Sequence, residues 1–539
     1  MLTGHAGVES SRSRLRHNAK QFDDMVTVAR ARLETSRYLS AVEWCRAAAE
    51  FAMTNATGQL RSVELEHTID AVANATIPQS RHCMAGEGKR RVLHVMTAAG
   101  EIGGLTRLAE RWISRDTSSA SSVAVTRQAE VPTALAHLVE RSGGRAEGLG
   151  ADGADSIERA SRLRFLARGA DTIVCHLHSD DIVPALAFGW GYEGAPVAFY
   201  NLADHLFWVA PTGATAVVDA RRAGLRLTTE ARGYDDDRSL ELPLPIPRRR
   251  FEPDRSIRSR MGMSANEKLA ISVARAIKFR DTALTPTFSA LLAHALESIP
   301  DLVFCAVGPT LAESPWADLT ARFGRRVHAT GPVAEPARFV AAADIYLDTF
   351  PFSSTTSLLE AASAGLPVLS LDGHDGLATV LGLADFLVDR ESRPRSPDAY
   401  IQQLRKLVSS EAERARRGAA VQDGYFRVTE EDAWLAQLQR MYMQLDRSSA
   451  AGVVLRNSPG PTDSEASLTY GLILLAVEQN VPLLWSLSGS HPRFDAQDQA
   501  GLTRRRKLTR LLRKVAGISG LSEWRTDSWM VPKIPGGLS

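Results

Sequence analysis

Between residues 341 and 370 the chain reads AAADIYLDTFPFSSTTSLLEAASAGLPVLS. The apolar run 345–348 predicts a strand that enters a proline-containing loop. Ser353, Ser354, Thr355, Thr356 and Ser357 follow in succession, and a helical pattern starts among them. Unpaired backbone N–H groups, the helix dipole and hydroxyl donors converge at such a helix start, which makes it a site for a phosphate. Glu360 lies one turn further in, where a carboxylate can accept both hydroxyl protons of a ribose. A plainer account fits the same letters: Ser357-Leu-Leu-Glu360 matches a capping box, in which Glu360 only reaches back to the cap N–H. A second group stands in residues 198–208, AFYNLADHLFW, where Asn201, Asp204, His205 and Trp208 follow an apolar run. Histidine is the usual proton acceptor near neutral pH, and Asp204 can orient His205 or substitute for it. A packed interface histidine is the competing account. His176 and His178, past another apolar run, are rival bases. With Asp180 they hint at a metal, but no third ligand run accompanies them, so no metal site is expected.

These groups need elements to hold them, and the pattern of apolar runs supplies two series. In the first, residues 91–96 (RVLHVM) read as a strand, the following loop ends in Gly103-Gly104, and residues 105–114 read as a helix. A glycine pair there lets a ligand approach the backbone. Runs at 122–125, 172–176, 196–200 and 214–218 continue with the texture of strands buried on both faces. Residues 242–253 (LPLPIPRRRFEP) are proline-rich and basic and predict an extended crossing between domains. The second series has strands at 269–273, 302–307, 326–330, 345–348 and 368–371, and a helix at 434–445. Two doubly wound domains joined by a short linker make a cleft between the C-terminal edges of two sheets. Ahead of them, residues 22–77 are helical in pattern, with Val26, Ala29, Tyr38, Ala41, Trp44, Ala48 and Phe51 on the apolar side and a break at Gly58. Two or three antiparallel helices fit. One tetratricopeptide-like hairpin is suggested, but no second copy recurs at a period of about 34. Residues 1–20 read as disordered.

The stretch 341–370 resembles the donor-binding element of GT-B glycosyltransferases, in particular the O-GlcNAc-transferase-like and cytoplasmic N-glycosyltransferase families. Their pattern is a strand ending in LD-x-x-P, a Thr/Ser pair, an acidic residue and G-x-P-V. Here these are Leu347-Asp348, Pro351, Thr355-Thr356, Glu360 and Gly365-Leu-Pro-Val368. The resemblance implies that Ser354, Thr355 and Thr356 meet the donor diphosphate and Glu360 the ribose. Residues 269–281 (LAISVARAIKFRD) resemble the first strand and loop of the same nucleotide domain, which puts Arg275 and Lys278 against the diphosphate. Cations there suit a leaving nucleoside diphosphate that no metal neutralises; a solvated turn with Arg280 is the alternative. Residues 327–333 (VHATGPV) resemble the segment flanking the base, with Thr330 and Gly331 as contacts. The element at 198–208 is similar to one found in bacterial GT-B proteins. In the acceptor domain Gly103, Gly104 and Asn201 are then expected at the acceptor, with His205 and Asp204 as the catalytic pair. Many retaining GT-B enzymes carry two glutamates separated by seven residues. Phe352 stands where the first would be, which favours the inverting families.

The expected architecture is therefore α/β, two Rossmann-like domains facing a cleft (GT-B), with an N-terminal α-helical domain and a C-terminal extension. The boundaries are 1–88 for the disordered start and helical region, 89–245 for the acceptor domain, 246–446 for the nucleotide-sugar domain and 447–539 for a linker and basic extension. The expected activity is hexosyl transfer from a nucleotide sugar, uridine being the family's commonest base, to a glycan, lipid-linked or protein acceptor, with no cofactor besides that co-substrate. A sugar-nucleotide epimerase of the same fold and a non-catalytic scaffold binding a protein partner through the helical region are the alternatives. The net charge is +2, which gives no global field for nucleic acid. Four scattered cysteines without a C-x-x-C pair suit a reducing compartment, hence the cytoplasm. No signal-peptide pattern opens the chain, and the apolar run 471–477 is too short to span a bilayer. Residues 504–514 (RRRKLTRLLRK) form a basic amphipathic pattern. It suits peripheral contact with an anionic membrane such as the inner surface of a cell membrane, or a solvated helix docked on the core.

Overall fold

The computed structural model describes residues 5–79, 88–100, 104–150, 154–245, 254–279, 286–313, 315–350, 353–372 and 391–447. The apolar run 471–477 and the basic stretch 504–514 lie outside them, as do Gly103, Arg280, Pro351 and Phe352. Three helices come first: α1 (His5–Glu34), α2 (Tyr38–Thr54) and α3 (Val63–Thr76). The expected disorder of residues 1–20 is corrected from His5 on. Leu15, Ala19, Phe22, Val26 and Ala29 are buried at helical spacing and give α1 an apolar stripe against α2, a stripe that Arg12, Arg14 and Arg16 obscure in the letters. Small residues, Ala41, Ala47, Ala48 and Ala49, are fully buried on α2 and allow close helix approach. Gly58 turns the chain at φ +77°, and the Ser62 side chain caps α3 by accepting from the Leu65 N–H at 3.3 Å. No helix among the described residues is long and apolar enough to cross a membrane.

The next series is β1 (Arg90–Met96), α4 (Gly104–Arg115), β2 (Ser119–Val125), α5 (Thr133–Ser142), β3 (Ala146–Gly148), α6 (Ser156–Ala167), β4 (Thr172–His176), α7 (Ile182–Ala187), β5 (Val197–Asn201), β6 (Ala216–Asp219), α8 (Arg222–Arg226) and β7 (Ser239–Glu241). The strands form one parallel sheet in the order β3-β2-β1-β4-β5-β6-β7. The short edge strands β3 and β7 gave no apolar run in the sequence. The chain order reverses between β1 and β4, and a crevice opens at the C-terminal ends of strands at such a point. Helices cover both faces, because β1, β4, β5 and β6 are buried over nearly their whole length.

The second series is α9 (Arg255–Arg260), β8 (Lys268–Val273), α10 (Phe288–Ser298), β9 (Leu302–Val307), α11 (Trp316–Phe323), β10 (Val327–Ala329), α12 (Pro336–Ala342), β11 (Ile345–Leu347), α13 (Thr355–Ser363), β12 (Val368–Leu369), α14 (Pro397–Ser409), α15 (Glu411–Thr429) and α16 (Glu431–Arg447). Its parallel sheet has the order β10-β9-β8-β11-β12. Beyond β9 the backbone of Gly308 (φ +127°) crosses close over the end of β8. A Cβ there would lie 2.1 Å from the Ala274 carbonyl oxygen, so only glycine fits.

The expected boundary at 446 needs correction. Helix α16 leaves the second domain and buries Trp434, Leu438, Met441, Tyr442 and Leu445 in the core of the first, beside Val92, Trp112, Val174 and Tyr200. Trp434 meets Trp112 edge to face at 5.5 Å, and its indole N–H donates to the Pro243 carbonyl at 2.8 Å. An apolar helix stripe shows in the sequence, but the letters do not say which of two cores it enters. Replacing Trp434 by alanine is expected to lower stability by about 3–5 kcal/mol, as for other large buried aromatics. A denaturation series checks this, and a loss under ~1 kcal/mol would mean that this side chain does not hold the crossing.

Candidate active site

Strand β11 delivers Asp348 into the core of the second domain, where it ties the start of α13 to the segment after β12. One carboxylate oxygen accepts the Ser354 N–H at 3.3 Å and the other the Ser370 hydroxyl at 3.1 Å. Burial pushes the Asp348 carboxyl up to about 6 although these donors act the other way. Ser354 is the N-cap of α13 and makes no side-chain capping bond. Helix α13 therefore starts three residues earlier than a Ser357–Glu360 capping box requires, and that account of Glu360 is corrected. The half-buried Glu360 side chain makes no hydrogen bond or ion pair with another described residue. Thr355 and Thr356 occupy the first turn, half-buried and exposed. Their backbone N–H groups precede the first intrahelical donor, Leu358, whose N–H reaches the Ser354 carbonyl at 2.9 Å.

A 3-10 turn, Ala276–Phe279, follows β8 and carries Lys278 to the same loop. Phe279 anchors the turn between Phe288 and Trp316, with ring centroids at 5.3 and 4.9 Å. The Lys278 ammonium then donates to the Ser353 carbonyl at 3.2 Å. Burial, followed by the Arg275 and Arg221 cations, pushes Lys278 down to about 8. Arg275 is exposed one turn earlier. Thr330 and Gly331 follow β10 at the C-terminal edge of the same sheet; the Thr330 hydroxyl donates to the Gly331 carbonyl at 2.8 Å, and Gly331 has φ +70°.

In the first domain, β5 ends at Asn201 and the following loop carries Asp204 and His205. Asp204 accepts two bonds from the Arg221 guanidinium, at 2.6 and 3.0 Å, and faces His205 Nδ1 at 3.3 Å. Burial opposes the Asp204 charge, but Arg221 and His205 hold its carboxyl far below the usual range. Burial also holds His205 below its ordinary value; Asp204 works against this, while Lys278 and Arg221 reinforce it. The imidazole is therefore neutral at neutral pH. Asn201, expected to face the acceptor, is instead buried and donates to Asp219 at 2.7 Å. Gly104 is the first residue of α4. The rival base His176 is wholly buried, stacked on His94 with a 3.0 Å contact between ring nitrogens, and burial keeps it far below the neutral range. His178 is exposed, and Asp180 pairs with Arg127 at 2.9 Å. Among the described residues no group of three or more His, Cys, Asp or Glu stands as a metal site.

The two halves face each other. Lys278 of the second domain feels the charges of Asp204 and Arg221 from the first as well as Asp348 from its own, and His205 feels Lys278. A neutral imidazole backed by a fixed carboxylate thus stands opposite a cation that is bonded to the segment leading into α13. That arrangement can remove a proton on one side and receive an anionic leaving group on the other. Reasoning from the letters missed Arg221. It stands just beyond β6 in an unremarkable Ala-Arg-Arg-Ala context, and only folding brings it to Asp204.

Residues 271–410 match the family model described as Glycosyl transferases group 1. No curated protein matches the chain. Among solved structures, a mutant of the Thermobaculum terrenum O-GlcNAc transferase is similar with a TM-score of 0.50 at 15% identity, over 81% of this chain and 83% of that one. HepE of Anabaena in complex with UDP and glucose has a TM-score of 0.47 at 15% identity, over 66% of this chain and 99% of that one. WaaG, a glycosyltransferase involved in lipopolysaccharide biosynthesis, has a TM-score of 0.41 at 16% identity, over 65% of this chain and 99% of that one.

Three outcomes follow from the site's geometry. Lys278→Ala and Arg275→Ala are expected to weaken nucleoside-diphosphate binding about tenfold or more, a charge-assisted contact contributing ~1.5–3 kcal/mol, and to leave the bare nucleoside unaffected. Because Lys278 loses its proton at about 8, diphosphate affinity is also expected to fall as pH rises past that value in wild type and not in Lys278→Ala. Calorimetry with both ligands checks this, and equal losses for both would contradict a phosphate-facing role. Glu360→Gln is expected to keep the melting temperature while weakening nucleotide binding, since an amide accepts from a diol less well than a carboxylate. Unchanged affinity would remove Glu360 from the ribose.

Proposed function

From the premise that this chain is a GT-B glycosyltransferase carrying a group 1 domain over residues 271–410, we propose an inverting, metal-independent transfer of a hexosyl group from a nucleotide sugar, with a UDP-sugar as the first donor to test. The observation that carries the reading is the neutral His205, backed by Asp204, opposite Lys278 and the start of α13. His205 accepts the acceptor hydroxyl proton on the nitrogen not turned toward Asp204. The acceptor oxygen bonds to the anomeric carbon as the bond from that carbon to the diphosphate oxygen breaks on the opposite face. Asp204 stabilises the imidazolium, held in place by Arg221. Lys278, Arg275, Thr355, Thr356 and the first N–H groups of α13 take up the charge of the departing diphosphate. Glu360 holds the ribose, and Thr330 and Gly331 flank the base. Asp204 suits orientation better than proton abstraction, because Arg221 keeps it ionised and weakly basic.

The acceptor is a hydroxyl or amide of a glycan, a lipid-linked sugar or a protein. The epimerase alternative draws on the same donor half and ranks lower because the loop of the second domain carries no acidic or histidine set matching that family's pattern. The scaffold alternative loses ground because the helical region turns the apolar face of α2 inward, onto its neighbours.

The test is a screen of nucleotide sugars for turnover in the presence of a chelator, with the product anomer read by NMR. A β-linked product or free β-sugar from an α-linked donor is expected, with rates that hold through the ordinary histidine range at about 6.5 and fall only at lower pH, because His205 is held below that range. An α-linked product, or activity abolished by the chelator, would overturn the stereochemical or metal-independent part. The absence of any thermal shift with nucleoside diphosphates would overturn the catalytic reading altogether.

A further inference from the structure

The loop that bears His205 is held by more than its own strand. After α8 the chain makes a π-helical turn, Leu227–Ala231. Its wider bond, from the Arg232 N–H to the Leu227 carbonyl at 3.0 Å, brings Arg232 beneath the loop. The Arg232 guanidinium is fully buried. One of its terminal nitrogens donates to the carbonyls of Asp204 and Leu206, each at 2.7 Å, so the carbonyls of the residues on either side of His205 converge on a single donor. Its Nε points to the Leu60 carbonyl at 3.4 Å, and Trp208 covers it at 4.5 Å from the ring centroid.

Leu60 belongs to the turn between α2 and α3, in the helical region. The next residue, Arg61, donates to the Arg232 carbonyl at 2.8 Å and is fixed by Glu66 through bonds of 2.7 to 3.0 Å. Phe22 of α1 packs edge-on against Phe207 of the loop at 5.3 Å. The helical region thus touches the loop at its backbone and its side chains.

We propose that Arg232 is a positioning residue for the transfer step: it bridges the backbone on either side of His205 and, with Arg61, makes the helical region part of the support that holds the catalytic loop opposite Lys278. The inference rests on His205 being the base. Without the guanidinium, the buried Asp204 carbonyl and the half-buried Leu206 carbonyl lose their donor, and the loop must open toward water to satisfy them. A lysine at 232 keeps the charge, but its single ammonium cannot serve these two carbonyls and also reach the Leu60 carbonyl, and it has no flat face to lie against Trp208. The charged groups that face the imidazole are Asp204 and Arg221 from its own domain and Lys278 from the other. An opened loop moves His205 away from all three and into solvent.

The experiment is a pH titration of the histidine rings by NMR on the full chain, with His205 assigned by comparison with His205→Gln. It is run alongside UDP calorimetry and turnover with the donor found in the screen. In wild type His205 is expected to titrate below about 6.5; Arg232→Lys and Arg232→Ala are expected to raise it toward that ordinary value by about half a unit or more. UDP affinity is expected to stay unchanged, and turnover to fall about tenfold or more at constant donor KM, since a small misplacement of a reacting group is costly. If Arg232→Ala does not fold, Arg232→Lys carries the test. An unmoved His205 titration in a variant whose melting temperature has dropped would make Arg232 a packing residue and overturn the proposal. Full turnover in His205→Gln would remove the base assignment and overturn the proposal with it, whatever the titration shows.

Discussion

Trp434 sits edge-on against Trp112 at the centre of the first domain's core, although the helix that carries it starts in the second. Everything the cleft does depends on that crossing. Two parallel sheets each gather their loops at a C-terminal edge, and neither edge holds a complete site. The crossing helix and the linker ahead of β8 tie the same two bodies at two points, and the Trp434 N–H bond to Pro243 joins the ties to each other. Large buried aromatics suit the task, since they bury much apolar area with few rotamers to freeze.

With the edges opposed, electrostatics sets the character of the cleft. Desolvation alone would neutralise both members of a cation–carboxylate pair. Asp204 escapes that fate because Arg221 grips it with two bonds. Lys278 and Asp348 do not, and each is shifted toward its neutral form. A site poised in this way gains most from binding an anion. An anion bound beside Lys278 would favour its charged form, while burial keeps His205 disfavoured as a cation. Strongly shifted groups collected at one cleft are what a catalytic site is expected to show, and their partners here come from both domains.

The helical region is bound to this arrangement by buried polar contacts as well as by packing. Glu66 grips Arg61, and Asp70 accepts the Thr212 hydroxyl at 2.6 and 2.8 Å and the Trp190 N–H at 3.0 Å. A buried ion pair contributes little net stability, yet breaking one partner is expensive, so such contacts fix geometry more than they add free energy. Such contacts fix the helical bundle against the α/β domain at the loop that carries His205.

The sequence by itself determined the series of strands and helices, since parallel strands buried on both faces leave unbroken apolar runs such as 172–176 and 302–307 that few other elements produce. It also determined the turn from β11 into α13, because Asp348, the Ser/Thr string and Glu360 are neighbours along the chain and their spacing is set by one strand-to-helix turn. What lies between distant segments was not legible. The edge strands β3 and β7 are too short to leave a run. The buried stripe of α1 is masked by arginines. His176 looked like a strand-end base until folding stacked it on His94, and Asn201 like an acceptor contact until folding turned it to Asp219. Only the tertiary structure decided that α16 returns to the first domain, that Arg221 meets Asp204, and that Arg232 and Arg61 brace the His205 loop. Each of these is a contact between residues brought together by packing, and packing depends on which surfaces find each other in three dimensions, a property that no local pattern of letters carries.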